Sequence, residues 1–328
     1  MRRSTTSARL ITVIIAVIVT PLAAGLLATG GNTWLFAYGQ YAMASVDLGR
    51  FGVPILLQAI GILLLLLVVL TGIWSSAGLI AVGVLTLVPL VFALFPALLL
   101  QAYRLASGAV PREWLDGLGY GLPLILFPVL GTMGLVLALV RRRPEPAGTG
   151  LSIGGLIAAP VLLLAGAMLL SWGLGRGALA ALQRNRLDFV PDAAAAVLFG
   201  VLLVIAGIFV TRWSAFALLL PALALLVLSA LLFVPRAFLP VLSALPMEVS
   251  RALSTLLLLG GGTAAALLYF AFTAVLLRVR KQSAMVPPAG APSVGYPAPY
   301  PPAATYPPAA TYPPAAPPAP PYPPTPGS

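Results

Sequence analysis

Residues 51–103 carry no charged side chain and read FGVPILLQAIGILLLLLVVLTGIWSSAGLIAVGVLTLVPLVFALFPALLLQAY. An α-helix rises 1.5 Å per residue, so about 20 apolar residues cross the hydrocarbon core of a bilayer. The 53 residues of this run are too many for one crossing, and the sequence WSSAG at 74–78 interrupts them. We therefore predict two membrane helices here, over 52–73 and 78–101, joined by a tight turn.

Six further uncharged runs extend this pattern over most of the chain. They cover residues 10–28, 117–140, 146–175, 193–211, 213–235 and 252–277. Only 8% of the residues are charged, whereas a soluble globular domain carries about 25%. The sequence thus predicts an all-α polytopic membrane protein with about eight transmembrane helices.

The chain contains no cysteine and no histidine. These residues form disulfides and supply most zinc, haem and iron–sulfur ligands, so we expect no metal and no cofactor. The net charge of +11 is typical of basic residues that flank membrane helices. We expect no nucleic-acid partner, because no basic stretch is long enough to follow a phosphate backbone. Lys281 is the sole lysine beside many Arg, Ala, Gly and Pro residues, a bias that indicates a high-GC bacterial origin and hence a bacterial plasma membrane.

The distribution of basic residues predicts that both termini are cytoplasmic. With eight spans and the N-terminus inside, the cytoplasmic segments hold ten basic residues and one acid: Arg2, Arg3, Arg9, Arg141, Arg142, Arg143, Arg212, Arg278, Arg280, Lys281 and Glu145. The outer loops hold eight arginines and six acids. Because the inner segments are also shorter, their density of basic residues is higher, which agrees with the positive-inside rule.

A gapless shift of 139 residues indicates an internal duplication. It superimposes Pro21 on Pro160, Gly61 on Gly200, Trp74-Ser75 on Trp213-Ser214 and Pro96 on Pro235. Helices 1–4 then recur as helices 5–8 in the same orientation, a parallel repeat. The apolar run at 10–28 also resembles a signal peptide, but the duplication favours a retained helix because this run matches helix 5.

The predicted organisation has five parts. They are a basic cytoplasmic N-terminus (1–9), a first four-helix membrane repeat (10–140), a cytoplasmic linker (141–150), a second four-helix membrane repeat (151–278) and a Pro/Tyr-rich disordered cytoplasmic tail (279–328).

Four acids recur at matching places in the predicted outer loops and form a candidate outer-face site. Asp47 and Asp188 precede even-numbered helices, and Glu113 and Glu248 follow Pro111 and Pro246. A proline at the first position of a short helix, with a glutamate in its first turn, is a favoured helix start. Two interpretations fit these acids, a pseudo-symmetric binding site or helix caps that both halves inherited.

The predicted spans lack charged residues at their centres, which argues against a transporter that is coupled to protons. Gln58 is the most deeply placed amide, and we expect it to form an interhelical hydrogen bond. Gly260-Gly261-Gly262 fits close helix packing or a hinge. No P-loop, nucleophile elbow or dinucleotide motif is present, so we expect the protein not to be an enzyme.

The chain ends in a segment that cannot form a hydrophobic core. Residues 283–328 hold 18 prolines and no charge, and the unit YPPAAT recurs from residue 300. Such a segment is expected to be disordered with polyproline II bias. At three residues per turn, six-residue spacing places Tyr300, Tyr306 and Tyr312 on one face, and Tyr322 follows. The tail fits a multivalent binding site for a cytoplasmic protein or a passive spacer.

These observations predict two functions. The first is a non-enzymatic membrane scaffold, or an accessory subunit of a bacterial envelope or division complex, whose tail recruits a cytoplasmic partner. The alternative is a transporter or lipid-handling protein with a pathway between the two repeats. In either case, we expect the lipid bilayer and other membrane proteins as neighbours.

Overall fold

The computed structural model describes residues 6–41, 48–106, 108–142, 149–184 and 188–284. The chain divides into a unit over Met1–Val286 and a second over Pro287–Ser328. The four tail tyrosines of the second unit therefore lie outside the described residues, as does Asp47. Every regular element in the described ranges is a helix, and no β-strand occurs there, which confirms the all-α class.

Seven helices form the described part of the chain before residue 143. They are α1 (Thr6–Tyr41), α2 (Leu48–Thr71), α3 (Ala77–Leu85), α4 (Leu87–Leu94), α5 (Pro96–Leu105), α6 (Arg112–Gly119) and α7 (Leu122–Arg142). Seven more follow in the described residues after 148. They are α8 (Thr149–Leu174), which continues as a π-helix (Gly175–Leu179), α9 (Ala180–Arg184), α10 (Pro191–Phe209), α11 (Leu219–Ala230), α12 (Pro235–Ser243), α13 (Met247–Leu258) and α14 (Gly261–Ala284).

Seven helical segments within the described ranges are long and apolar enough to cross a membrane. They are Thr6–Phe36, Gly52–Thr71, Ala77–Leu94, Leu122–Arg142, Gly150–Gln183, Pro191–Arg212 and Gly261–Gln282. The span predicted at 213–235 is instead a shorter apolar helix, Leu219–Phe233. It is shorter because 213–218 form bends and turns after the 3-10 turn Val210–Arg212. The membrane-embedded helical fold is thus confirmed, with seven long spans and one short apolar helix.

The helix predicted over 78–101 is wrong as a single element. It consists of α3, α4 and α5, with breaks at Thr86 and Phe95. Proline explains both breaks. Pro89 has no N–H to donate to the carbonyl of Leu85, and Pro96 disfavours helical dihedrals at Phe95, whose φ and ψ are −123° and 78°.

The same backbone features recur 139 residues apart. Val234, which precedes Pro235, has φ −126° and ψ 77° and so matches Phe95 before Pro96. Gly121 and Gly260 have φ values of 81° and 79° and separate α6 from α7 and α13 from α14. A positive φ is strained for residues with a Cβ, so glycine permits the sharp entry into each long helix. The Gly260 run therefore contains a helix break, which the packing interpretation alone does not describe.

Two arginines bind helix ends in the same way. Arg141 of α7 donates to the carbonyl oxygens of Gly72 and Ile73, the latter at 2.9 Å. Arg280 of α14 donates to the carbonyl oxygens of Thr211 and Arg212 at 3.0 and 2.8 Å. All six positions differ by 139 between the two clusters, which we call the arginine clamps. Each clamp satisfies carbonyls that have no partner within their own helix.

The two main helix pairs also correspond, with one difference in register. Pro54 and Gln58 of α2 contact Gly30 of α1, while Ala193 and Val197 of α10 contact Gly173 of α8. The second helices of the pairs match at 139, whereas the first helices match at 143. Four residues are about one helical turn, so the match of Pro21 with Pro160 is one turn out of register in this packing.

Helices α7 and α14 lie at the centre of the bundle. Of the most apolar 18-residue window of each span, 78% is buried for α7 and 61% for α14, against 28% for α2. The main hydrophobic core joins residues from both halves, among them Leu27, Phe127 and Phe272. The amide of Gln58 donates to the carbonyl oxygen of Leu258 at 2.8 Å. The expected interhelical hydrogen bond is confirmed, and it links α2 to the end of α13.

Candidate functional site

A polar cavity of about 280 Å³ lies at the end of the bundle opposite the arginine clamps. It is formed by the π-helix that follows α8, the segment before α10 and the first turns of α13. Its charged lining residues are Arg176, Asp188, Glu248 and Arg251. We call this cavity the outer pocket. It brings together two of the acids that the sequence singled out and two arginines.

Hydrogen bonds and ring packing orient the arginines of the outer pocket. The Nε of Arg176 lies 2.9 Å from a carboxylate oxygen of Asp192, and its guanidinium lies 5.3 Å from the centroid of the Trp172 ring. Arg251 donates from Nη1 to Oε1 of Gln183 at 2.7 Å. Arg176 and Asp188 are exposed and Glu248 and Arg251 half-buried, so the pocket opens to the surface.

The π-helix places Arg176 at this pocket. A π-turn widens the helix locally and is frequent at functional sites. Gly175, its first residue, is buried against α13: a Cβ at this position would lie 2.4 Å from the carbonyl oxygen of Glu248. Glycine thus allows the backbones of α8 and α13 to touch, and the charged side chains of both helices line the cavity beside this contact.

The structure separates the four predicted outer acids. Asp188 and Glu248 line the outer pocket, Glu113 does not, and Asp47 lies outside the described residues. Glu113 and Glu248 do occupy the first turns of α6 and α13, as predicted. Pro111 and Pro246 precede these helices at the N-cap rather than at the first helical position. The prediction of a short helix start is therefore right to within one residue.

A second polar cluster lies at the same end of the first half. The Tyr103 hydroxyl donates to Asp116 at 2.6 Å, and the Asn32 amide donates to the other oxygen of Asp116 at 3.0 Å. Burial, and then the hydrogen bond to Asp116, raise the pKa of Tyr103 far above its ordinary value. Burial and the negative charge of Asp116 raise the pKa of Tyr120. Both phenols therefore stay neutral near pH 7, and Tyr103 remains a hydrogen-bond donor that ties α5 to α6.

Two apolar grooves lie on the membrane-spanning part of the bundle. The first has a volume of about 260 Å³ and involves α1, α4 and α6; the second has about 360 Å³ and involves α8, α11 and α13. Nine of the thirteen residues that line the first groove fall, 139 residues further on, on residues that line the second. Trp114 contacts Gly25 in the first groove, where the second has the smaller Leu253, which accounts for the difference in volume.

Sequence reasoning missed the arginines of the outer pocket and the Asn32–Asp116–Tyr103 cluster. Arg251 follows Glu248 by three residues, a spacing that places both on one helix face, so this pair was detectable once α13 was expected. The Asp116 cluster had no such signal, because its hydrogen bonds join residues 13 and 84 positions apart. In the described part of the chain, no group of three acidic side chains converges as a metal site.

The fold defines the class of the protein: it is an all-helical, membrane-embedded, multi-span protein. No protein-family model, curated protein or solved structure matches the chain. Its function is therefore argued from its own residues.

Proposed function

We propose that the protein is a non-enzymatic scaffold or accessory subunit in a bacterial plasma membrane. Its bundle anchors the chain, and its tail recruits a cytoplasmic protein, plausibly for an envelope or division complex. The observation that carries this proposal is the repeated Tyr-Pro-Pro-Ala-Ala-Thr unit, which follows directly on the basic end of α14.

The distribution of charge supports a cytoplasmic tail. The arginine clamps lie at the bundle end where α2, α7, α10 and α14 terminate. Six basic residues of the described chain belong to this end: Arg141, Arg142, Arg212, Arg278, Arg280 and Lys281. The five described acids, Glu113, Asp116, Asp188, Asp192 and Glu248, belong to segments at the other end. By the positive-inside rule the basic end faces the cytoplasm, and the tail begins there.

The bundle is proposed to consist of two parallel four-helix repeats. The arginine clamps, the positive-φ glycines, the extended residues before Pro96 and Pro235, and the two apolar grooves all recur at a shift of 139. These features are unrelated in chemistry, so one common offset supports a duplication. In such a parallel repeat, the halves are related by an axis along the membrane normal.

Three similar tyrosine faces favour binding by avidity. Polyproline II segments lose little entropy on binding and dock in grooves lined by aromatic side chains. Linked weak sites raise overall affinity by factors of about 10²–10⁴ when a partner engages them together. The repeat therefore suits a partner with several such grooves or a partner that is itself oligomeric.

Tail-dependent recruitment is tested by crosslinking and mass spectrometry in cells. We expect a cytoplasmic protein to crosslink to the tail of the full chain and not to the bundle truncated after Ala284. Replacing Tyr300, Tyr306 and Tyr312 singly and then together by alanine should weaken recovery in steps, by more than about tenfold for the triple variant.

The matched control for this test replaces Ala303, Ala309 and Ala315 by serine, which keeps every tyrosine and proline. Equal recovery with the triple tyrosine variant and with this control would show that tyrosines do not carry recognition. An unchanged set of partners after truncation would make the tail a spacer and would remove the scaffold proposal.

A second candidate function is lipid handling, which the larger apolar groove favours. Its lining residues come from α7 of the first half and from α8, α11, α13 and α14 of the second, and they include Val129, Ala167 and Ala224. No charged residue lines it. An acyl chain is the occupant that we propose, because it needs apolar walls and carries no charge to neutralise.

Lipid handling is tested with a fluorescent phospholipid in reconstituted liposomes. The full chain should speed exchange of the lipid between leaflets at least tenfold over protein-free liposomes. Ala167→Phe and Ala224→Phe fill the groove and should abolish most of this gain, whereas Leu202→Phe, on an exposed position of α10, should not. Exchange at the protein-free rate, or equal exchange in all variants, would exclude the groove as a lipid pathway.

A further inference from the structure

The outer pocket holds side chains of both charges in a small volume. Two guanidinium groups, of Arg176 and Arg251, and two carboxylates, of Asp188 and Glu248, line about 280 Å³. Pockets for drug-sized molecules start at about 300 Å³. The pocket is therefore suited to a small polar group, and its mixed charge favours a group that carries both charges itself.

We propose that the outer pocket binds a zwitterion with an ammonium group and a phosphate or carboxylate group. Arg176 and Arg251 bind the anionic group, and Asp188 and Glu248 bind the ammonium. The head group of an ethanolamine phospholipid has this chemistry, and so does a free amino acid. This proposal goes beyond the scaffold function, because it needs neither the tail nor the apolar grooves.

The contacts of Arg176 support the anionic half of this site. Its Nε is occupied by Asp192, and its guanidinium lies against Trp172. Arginine has five N–H donors in a rigid fork, four of them on the Nη atoms. The contacts with Asp192 and Trp172 fix the orientation of this fork, so that the Nη groups can bind two oxygens of a phosphate or carboxylate.

The acids support the ammonium half of the site. Asp192 is paired with Arg176, whereas Asp188 and Glu248 line the pocket from the segment before α10 and from α13. Arg251 lies three residues after Glu248 on the same helix, so its charge and that of Glu248 are close. A lone anion would meet both carboxylates and a lone cation both guanidiniums, whereas a zwitterion can pair with each group.

The position of the pocket favours a lipid head group as the source of this zwitterion. The candidate span Gly150–Gln183 includes Arg176 near its outer end, which is the level of lipid head groups. Met247 of the pocket and neighbouring Phe189 are 61% and 54% exposed. Exposed apolar side chains beside charged ones are typical of the membrane–water interface.

The test measures binding of glycerophosphoethanolamine, the head group without acyl chains, to the full-length protein in detergent. We expect saturable binding that ethanolamine or glycerophosphate alone does not reproduce. Glu248→Gln and Arg251→Gln should each weaken it at least tenfold. Glu113→Gln is the matched control, because Glu113 holds the same first-turn place in α6 but does not line the pocket. It should bind as the wild type does.

Two further arms separate the sources of the zwitterion. Native mass spectrometry should show retention of phosphatidylethanolamine over phosphatidylglycerol if a lipid is the ligand, and competition by glycine without lipid retention would assign a soluble amino acid. Equal binding by Glu248→Gln and Glu113→Gln, or equal binding of ethanolamine alone, would overturn the site. Truncation after Ala284 should leave binding unchanged, so failure of the scaffold proposal does not affect this test.

Discussion

Replacing Gly131 by valine is expected to lower the free energy of unfolding of the bundle by about 3 kcal/mol, near the upper end of overpacking effects. Gly131 of α7 faces Gly83 of α3, and a Cβ on Gly131 would lie 2.3 Å from the Gly83 Cα. Backbone on both sides leaves no flexible side chain to move aside. The two helices would have to separate, and the contacts on each side of the crossing would be lost.

The measurement is the thermal unfolding midpoint of the purified protein in detergent, together with the yield of monodisperse protein. Gly154→Val is the control, because Gly154 of α8 has no atom within 4 Å of an added Cβ. It carries the same propensity change in a helix without the steric conflict. A midpoint for Gly131→Val equal to that of the control would show that α3 and α7 do not cross at these glycines.

Removing either arginine clamp is expected to cost about 2 kcal/mol, and the two losses should be similar. Hydrogen bonds from a charged donor contribute about 1.5–3 kcal/mol, and each clamp arginine donates to two carbonyl oxygens that end a helix. Arg141→Ala and Arg280→Ala therefore leave partly buried carbonyls without a donor. Arg141→Lys should retain part of the stability, because an ammonium is a point charge and not a planar fork.

Exposed arginines next to the clamps provide the comparison. Arg142→Ala and Arg278→Ala remove the same charge from the same helix ends, at exposed positions, and should change the midpoint little. Losses as small for Arg141→Ala as for Arg142→Ala would contradict the clamp. A large loss for Arg141→Ala with none for Arg280→Ala would instead count against equivalence of the two halves.

The breaks in the helices show where sequence patterns stop being informative. Hydropathy predicts the run at 78–101 as one span, because apolar content is the same on both sides of each break. Proline at 89 and 96 was visible, but proline is tolerated in membrane helices when neighbours satisfy the freed carbonyls. Whether such a proline kinks or ends a helix depends on those neighbours. The break at Gly260 is similar, since three successive glycines fit a packed helix and a turn equally well.

The candidate site was predicted in part. Asp188 and Glu248 were singled out as acids at matching places in the outer loops, and the structure brings these two to one cavity. The sequence alone could not separate them from Glu113, whose local sequence is nearly the same. The difference arises because the π-helix after α8 contacts α13 at Gly175 and Glu248, and this contact joins residues more than 70 positions apart.

By itself, the sequence determined the all-helical membrane class, the approximate place of each apolar segment and the position of Gln58 at a helix contact. These properties follow from local composition, because a bilayer requires long apolar helices whatever their partners are. The tertiary structure alone decided the breaks at Phe95 and Gly260, the arginine clamps, the Asp116 cluster and the outer pocket. Each of these depends on carbonyls, charges or cavities that several distant segments form together, and a linear pattern does not specify which segments meet.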